Sequence, residues 1–177
     1  MSNTLANARI PVAAILLGAG LFALAWIAIQ MVQAGAGIKD DASANLRSYN
    51  EVPAISTLGK GTFTATINPN NTISYELTYT GVEGTPQQAH IHFGQTDVNG
   101  GISAFLCGGG SKGDCPANGG TVTGTITSAD VSGPAGQGIE ATKLGELVRA
   151  MRAGKTYANV HSSTFPGGEI RGQIKVD

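Results

Sequence analysis

The chain has 177 residues, which suggests one domain with a short appendage, and its formal net charge is −1. A nucleic-acid partner requires a dense cationic surface that displaces counterions, and the sequence has no basic run, so this class of partner is excluded. The 26 glycines also argue against a helical protein, because glycine lowers helix propensity by about 1 kcal/mol per site relative to alanine.

An uncharged apolar segment runs from Ile10 to Val32. A stretch of about 20 apolar residues crosses a bilayer as a helix, so we expect residues 1–33 to form a signal anchor that stays in the membrane. A cleaved signal peptide is the alternative, because Val32-Gln33-Ala34 offers small residues where a signal peptidase reads. In both cases Arg9 on the N-terminal flank predicts a domain outside the cytoplasm, which would be secreted if the segment were cleaved.

The remaining sequence divides into a short linker and a domain. Residues 34–45 are small and polar and predict a flexible tether. From there to residue 177, apolar and polar residues alternate in short runs separated by turn residues. About eight such runs favour an all-β fold, either a Greek-key β-sandwich or a barrel. The predicted strands are 62–67, 73–80, 89–93, 102–106, 122–126, 157–161 and 170–176.

One segment breaks this alternation with a helical period. Its apolar residues fall at i, i+3, i+4 and i+7, which is one face of a helix. They are Leu144, Leu147, Val148 and Met151. We therefore expect one short helix near residues 142–153, with Thr142 as its N-cap and Gly154 at the C′ position.

The two cysteines, Cys107 and Cys115, flank seven residues of a glycine-rich loop. In an oxidising compartment they would close a ring worth roughly 2–3 kcal/mol on the loop-entropy model. Free thiols and metal ligation are the alternatives, but the chain has no second cysteine pair to complete a zinc site. Because we expect export, we predict a disulfide.

All three histidines of the chain lie on predicted strands. His90 and His92 flank Ile91, and residues two apart on a strand point to the same face. If Ile91 takes the core face, both imidazoles face outward. His161 follows Val160, which suits the core, so its imidazole should also face outward.

The last predicted strand adds charged groups to this face, because its isoleucines suit the core and leave Glu169 and Arg171 pointing outward. If the strands are neighbours, three imidazoles, a carboxylate and a guanidinium share one patch. Three neutral imidazoles are a good ligand set for copper or zinc, and we expect copper to be favoured, with Glu169 and Arg171 supporting the ligands. Binding should weaken below about pH 6.5, where free imidazole takes a proton. The alternative is that these histidines merely hydrogen-bond loop backbone.

Several motifs together resemble the CHRD domain, first described in chordin, over about residues 46–177. The family occurs in extracellular and membrane-tethered proteins, so the resemblance implies such a setting but no specific activity. The motifs are Leu46…Asn50-Glu51-Val52-Pro53, Gly59-x-Gly61, Ala89-His90-Ile91-His92-Phe93-Gly94, Asn99-Gly100, Ala153-Gly154-x-x-Tyr157-x-Asn159-Val160-His161 and Pro166-Gly167-Gly168-Glu169-Ile170-Arg171-Gly172.

A looser similarity links the chain to copper-zinc superoxide dismutase, a Greek-key β-sandwich with a His-x-His strand and an arginine near its copper. That similarity implies His90, His92 and His161 as copper ligands and Arg171 as an anion-guiding residue. The chain has no further histidines for the bridging and zinc positions of that enzyme. Dismutase activity is therefore not expected.

Two functions from different classes follow. The first is a membrane-tethered, extracytoplasmic metal-binding module, with copper as its cofactor, for storage, delivery or electron transfer. The second is a metal-free structural or interaction module that acts as an accessory subunit of a membrane or surface complex. The sequence contains neither a nucleophile elbow nor a phosphate-binding loop, so an enzyme is the weaker reading.

Overall fold

Alternating apolar and polar residues build most of the domain. The computed structural model describes residues 40–177, and nine strands and one α-helix lie within that range. The strands are β1 Asp40–Arg47, β2 Lys60–Asn68, β3 Thr72–Thr80, β4 Pro86–Phe93, β5 Gly101–Cys107, β6 Gly120–Ile126, β7 Thr156–Ser162, β8 Ile170–Gln173 and β9 Lys175–Val176. The helix α1 is Leu144–Arg152, and 3₁₀ turns occupy Ser48–Asn50, Ser128–Asp130 and Ala135–Gln137.

The strands pair antiparallel in one sheet, in the order β5-β4-β7-β8-β1-β2-β3-β6, and β9 also pairs with β1. The two ends of this order come close together, because Ala104 of β5 forms a bridge with Val131, a few residues after β6. The sheet is therefore a nearly closed barrel. The predicted all-β class with one helix is confirmed. The structure adds β1 to the predicted strands and divides the predicted strand 170–176 into β8 and β9.

One face of every long strand fills the barrel. In β2 the buried residues are Phe63, Ala65 and Ile67, and exposed or partly exposed threonines alternate with them. Fully burying a Phe, Leu or Ile side chain contributes about 1.5–3 kcal/mol, so this inner face supplies most of the driving force for folding. The largest fully buried side chains are Tyr79, Phe63, Leu46, Ile73, Leu77, Ile91, Leu106, Ile126, Leu147, Met151, Ile170 and Ile174.

The first strand corrects the predicted tether at residues 34–45. Residues 40–45 are not a linker but part of β1, which pairs with β2 along its whole length, from Asp40 opposite Ile67 to Arg47 opposite Lys60. Its buried residues are Ala42, Ala44 and Leu46. These inward side chains are mostly small, so the composition of the segment resembles that of a linker. Its buried and exposed residues nevertheless alternate with the period of a strand. Residues 34–39 lie outside the described part of the chain.

The helix confirms one predicted end and corrects the other. Gly154 has φ +64°, and the backbone N–H groups of Gly154 and Lys155 donate to Met151 and Ala150, as expected where a glycine ends a helix. Thr142, predicted as the N-cap, instead has φ +67°, and Lys143 precedes the first helical residue without a side-chain cap. Leu144, Leu147 and Met151 are buried as the helical period predicted.

Cys107 and Cys115 form the predicted disulfide, with Cα atoms 5.1 Å apart. The ring that it closes packs against the barrel, since a Cβ on Gly109 would fall 2.4 Å from the ring of Phe105. The predicted membrane segment Ile10–Val32 lies outside the described residues. Within residues 40–177, no helix has the length and hydropathy needed to span a bilayer.

Candidate metal centre

The histidine-bearing strands are neighbours, as the sequence required for a shared site. β4 pairs with β7, and β7 pairs with β8. His90 lies opposite Asn159, and Asn159 lies opposite Arg171 on the next strand. Because directly opposite residues of an antiparallel pair share a face, these side chains lie on the same side of the sheet.

The imidazoles lie on the predicted face, opposite the core face of Ile91, but this face is covered and not solvent-exposed as expected. His90 is 1% exposed and His92 is 7% exposed, while His161 is partly buried. Alternation correctly places His90 and His92 on the opposite face of the strand from buried Ile91, but it does not show whether other residues cover that face. Aromatic rings cover it here: Phe105 lies edge-on to His90 at 4.6 Å between centroids, and Tyr157 stacks on His92 at 4.8 Å.

The three imidazoles form one cluster. Ring centroids are 4.7 Å apart for His90 and His161, 5.2 Å for His90 and His92, and 5.7 Å for His92 and His161. One ring nitrogen from each lies within 4.8 Å of the others. Within residues 40–177, this is the group of three or more His, Cys, Asp or Glu side chains that could hold a metal ion.

Backbone carbonyls determine which nitrogen of two rings carries the proton. Nδ1 of His92 lies 3.0 Å from the carbonyl oxygen of Gly100, and Nδ1 of His161 lies 3.0 Å from that of Pro166. A carbonyl only accepts, so each Nδ1 donates and each Nε2 keeps its lone pair. Nδ1 of His90 lies 3.0 Å from Nε2 of His161 and must be the donor in that bond.

Both backbone polar groups of Gly100, its N–H and its carbonyl, form hydrogen bonds with side chains of the site. A Cβ at this position would lie 1.8 Å from the carbonyl oxygen of Phe93, so only glycine fits the close approach. Its N–H donates to the hydroxyl of Tyr157 at 3.1 Å, while its carbonyl accepts from His92. The ring and hydroxyl of Tyr157 therefore both fix the orientation of His92.

Two ring nitrogens are left without partners. In the described part of the chain, no hydrogen-bond partner meets Nε2 of His90 or Nε2 of His92, and both atoms are buried. An unsatisfied buried polar atom typically costs about 1–3 kcal/mol, so such atoms are rare and need an explanation. Because both carry lone pairs, a bound cation would satisfy them.

Burial keeps the cluster neutral. It lowers the pKa of His90 to about 3, with the nearby His161 and His92 adding to the effect. It lowers the pKa of His92 to about 4 against the hydrogen bond to Gly100, and it also lowers the pKa of His161. The weakening of metal binding that free imidazole predicts below about pH 6.5 would therefore begin at a more acidic pH.

The three imidazoles lie together, but their ring nitrogens are farther apart than the nitrogens that ligate one metal ion. Two nitrogens bound to one ion at about 2.0–2.1 Å are at most about 4.2 Å apart, and in a tetrahedral shell about 3.3 Å apart. The separation of 3.0 Å between His90 and His161 joins the protonated Nδ1 of His90 to Nε2 of His161, so it is a hydrogen bond and not a spacing of two ligand atoms, and the cluster as a whole extends to 4.8 Å. Binding one ion would require the widest nitrogen separation to shrink by at least roughly 0.6 Å, and by roughly 1.5 Å for a tetrahedral shell.

The two charged residues predicted to support the ligands are buried, and neither hydrogen-bonds an imidazole within the described structure. Oε1 of Glu169 accepts from the backbone N–H of Glu83 at 2.7 Å. Arg171 lies 3.5 Å from the ring centroid of Tyr157 and donates to Asn99 Oδ1 and to the carbonyls of Gln95 and Val98. Arg171 therefore hydrogen-bonds no imidazole, but its positive charge contributes to the lowered pKa of His92.

A buried carboxyl that the sequence analysis gave no role also lies beside this layer. Glu51 is 7% exposed, and its Oε1 accepts from Nδ2 of Asn159 at 2.6 Å. Burial raises the pKa of Glu51 to about 7, against the lowering effects of Asn159 and the charge of Arg171. The alternation that selected His161 also selects Asn159 and Tyr157, so these two could have been found from sequence. Alternation could not identify Glu51, because this residue follows a 3₁₀ turn and not a strand position. It is also 108 residues from its partner Asn159 along the chain.

Comparison with known proteins gives one result. No curated protein and no solved structure matches the chain. The family model of the CHRD domain matches residues 42–174, which is most of the chain and nearly all of its described part. Three-quarters of the sequence, including both histidine strands, therefore falls within that match, and the chain belongs to the CHRD domain family.

Proposed function

We propose that this CHRD domain binds one metal ion through His90, His92 and His161, and that copper is favoured over zinc. The observation that carries the proposal is the convergence of all three histidines of the chain, with Nε2 of His90 and of His92 buried and unpartnered in the described structure. The ligands must be neutral to bind a metal, and burial already keeps them so.

The carbonyls around the cluster support this proposal. Ligating imidazoles usually donate their second N–H to a carbonyl or carboxylate, which fixes the tautomer and orients the ring. His92 and His161 both do so, to Gly100 and Pro166. His90 donates its Nδ1–H to Nε2 of His161 instead, so binding through Nε2 of both rings would form two metal–nitrogen bonds and leave this N–H without its acceptor.

The choice of copper follows from the ligands. Imidazole suits both copper and zinc, and at equal ligands the divalent series places Cu²⁺ above Zn²⁺. An ion would approach the cluster from the side of His161, because this residue is partly exposed and its partner Pro166 lines an open groove with Val52 and Asn99.

The proposed setting is outside the cytoplasm, anchored by the segment Ile10–Val32 or secreted after its removal. The disulfide between Cys107 and Cys115 supports an oxidising compartment, because such bonds are rare where thiols are kept reduced. There the domain would store or deliver copper, or transfer electrons, without catalysing a reaction of its own.

A metal-free interaction module is the second candidate, and specific observations favour it. The imidazoles already hydrogen-bond one another and nearby carbonyls, as structural histidines do. Tyr49 and Leu58 are 69% and 89% exposed on the segment between β1 and β2, where a protein partner in a membrane or surface complex could contact them.

Copper loading separates the two candidates. The full chain is dialysed against one to three equivalents of copper, and bound metal is counted by mass spectrometry. We expect one copper per chain, lost in His161→Ala and in the double variant His90→Ala/His92→Ala. Gln87→Ala, an exposed residue of the same strand β4, is the matched control and should retain the ion. A folded chain that takes up no copper would contradict the proposal and favour the interaction module.

A further inference from the structure

The ligand cluster contains no anionic group. Within residues 40–177 its members are the three histidines alone, and both cysteines are committed to the disulfide. Oε1 of Glu169, the carboxylate predicted to assist, accepts from the N–H of Glu83, and neither of its oxygens hydrogen-bonds an imidazole in the described structure. The three neutral imidazoles would therefore compensate none of the charge of a metal ion bound to them.

The surroundings penalise that charge. His90 and His92 are almost completely buried, and the rings of Phe105 and Tyr157 lie against them. The cost of placing an ion in a medium of low polarity rises with the square of its charge, so a divalent ion loses about four times as much solvation as a monovalent ion of the same size.

The fixed positive charge of Arg171 adds to the cost of binding a divalent ion relative to a monovalent one. Arg171 is 2% exposed, and its guanidinium lies 3.5 Å from the ring centroid of Tyr157, the ring that stacks on His92. Three acceptors hold it there: Asn99 Oδ1 and the carbonyls of Gln95 and Val98. Its repulsion acts twice as strongly on a divalent ion as on a monovalent one.

The number of available ligands also favours a monovalent ion over a divalent one. Cu(II) prefers a square-planar or tetragonal shell, and catalytic zinc sites with three protein ligands add a fourth from water. The described cluster offers three nitrogens. A monovalent d¹⁰ ion such as Cu(I) is stable with two or three ligands and needs no water as a fourth, so three nitrogens suffice for it.

We propose that this three-histidine site takes Cu(I) in preference to Cu(II) and Zn(II). The inference rests on the proposed function and specifies which ion that site holds. The divalent series does not conflict with it, because that series compares only ions of equal charge.

The test measures each oxidation state separately on the full chain. Cu(I), supplied as its acetonitrile complex without oxygen, is titrated in competition with a chromophoric Cu(I) chelator, and Cu(II) is titrated against nitrilotriacetate. Because each ion enters in its own oxidation state, no electron transfer is involved and the disulfide stays intact. We expect the Kd for Cu(II) to exceed that for Cu(I) by at least about 100-fold, which raises the potential of the bound couple by about 120 mV over that of aqueous copper.

Two further measurements keep the test sharp. Ag(I), a monovalent ion that is stable in air, should bind with one equivalent, and a tenfold excess of Zn(II) should not displace it. Arg171→Gln, checked for folding by circular dichroism, should reduce the ratio of the two copper Kd values. A Kd for Cu(II) equal to or below that for Cu(I), or displacement of Ag(I) by Zn(II), would overturn the inference while leaving the metal site intact. Failure of every ion to bind would overturn both proposals.

Discussion

Nδ1 of His90 lies 3.0 Å from Nε2 of His161, although 71 residues separate them along the chain. The register of β4 and β7 produces this contact: His161 lies opposite Gln88, and His90 lies opposite Asn159, so the two histidines are diagonal neighbours on one face. The same bond holds together two of the proposed ligands.

This contact predicts non-additive losses of stability. Without metal, His161→Ala should destabilise the fold by about 1–3 kcal/mol, because it leaves the buried Nδ1–H of His90 without its acceptor. Adding His90→Ala should cost less than the sum of the two single changes, by about 0.5–3 kcal/mol, since the second change removes the stranded donor. Urea unfolding of the four proteins in the presence of a chelator measures this coupling. Additive losses would show that the two rings are energetically independent.

The helix should contribute through its buried face. Leu147 is fully buried, and Leu147→Ala should lower the free energy of unfolding by about 2–5 kcal/mol, through lost burial and the cavity that remains. Leu58→Ala removes the same atoms from a side chain that is 89% exposed and should change stability by less than about 0.5 kcal/mol. Equal losses in urea unfolding would mean that α1 is not packed as described.

The disulfide should stabilise the fold without supplying a ligand. Replacing both Cys107 and Cys115 by serine should cost about 2–3 kcal/mol on the loop-entropy model. The ring that they close supports Phe105, which lies against His90, so the affinity for copper should fall while the stoichiometry stays at one. Thermal unfolding and copper titration of the double variant check both parts. A stoichiometry below one at saturating copper would contradict the prediction.

Buried titratable groups give stability an unusual dependence on pH. The pKa of Glu51 is raised to about 7 from 4.5, so its stabilisation is complete below pH 4.5 and is lost as pH rises to about 7. The pKa values of His90 and His92 are lowered from 6.5, so as pH falls below 6.5 the unfolded chain takes up protons first and stability declines. The two effects oppose each other between pH 4.5 and 6.5.

Glu51→Gln isolates the first effect, because the amide oxygen can still accept from Asn159. The stability of the variant relative to the natural chain should rise by up to about 1.4 kcal/mol per pH unit from pH 4.5 to 7 and then level off. Urea unfolding across this range measures the difference. Glu76→Gln on the exposed face of β3 controls for the loss of one negative charge. A relative stability of Glu51→Gln that did not change with pH would show that Glu51 is not a buried titrating group.

Period-two alternation was sufficient to find most strands and to bring the three histidines to one face. It failed where side-chain size or long-range packing decides the outcome. Ala42 and Ala44 are small, so β1 resembled a linker, although its pairing with β2 and β8 makes it an interior strand of the sheet. The burial of His90 depends on Phe105 and on loops far along the chain, and local periodicity contains no information about such a cover. The helix start was misplaced because Thr142 has the composition of an N-cap but a left-handed backbone.

The central claim is that three imidazoles share one ion, and X-ray absorption at the copper edge of the copper-loaded full chain tests it most directly. The proposed site predicts a first shell of three nitrogens at about 2 Å with the outer-shell scattering of imidazole, and His161→Ala should lose one of them or the metal altogether. A first shell that contains sulfur, or one that lacks imidazole scattering, or a spectrum unchanged by His161→Ala, would contradict the claim.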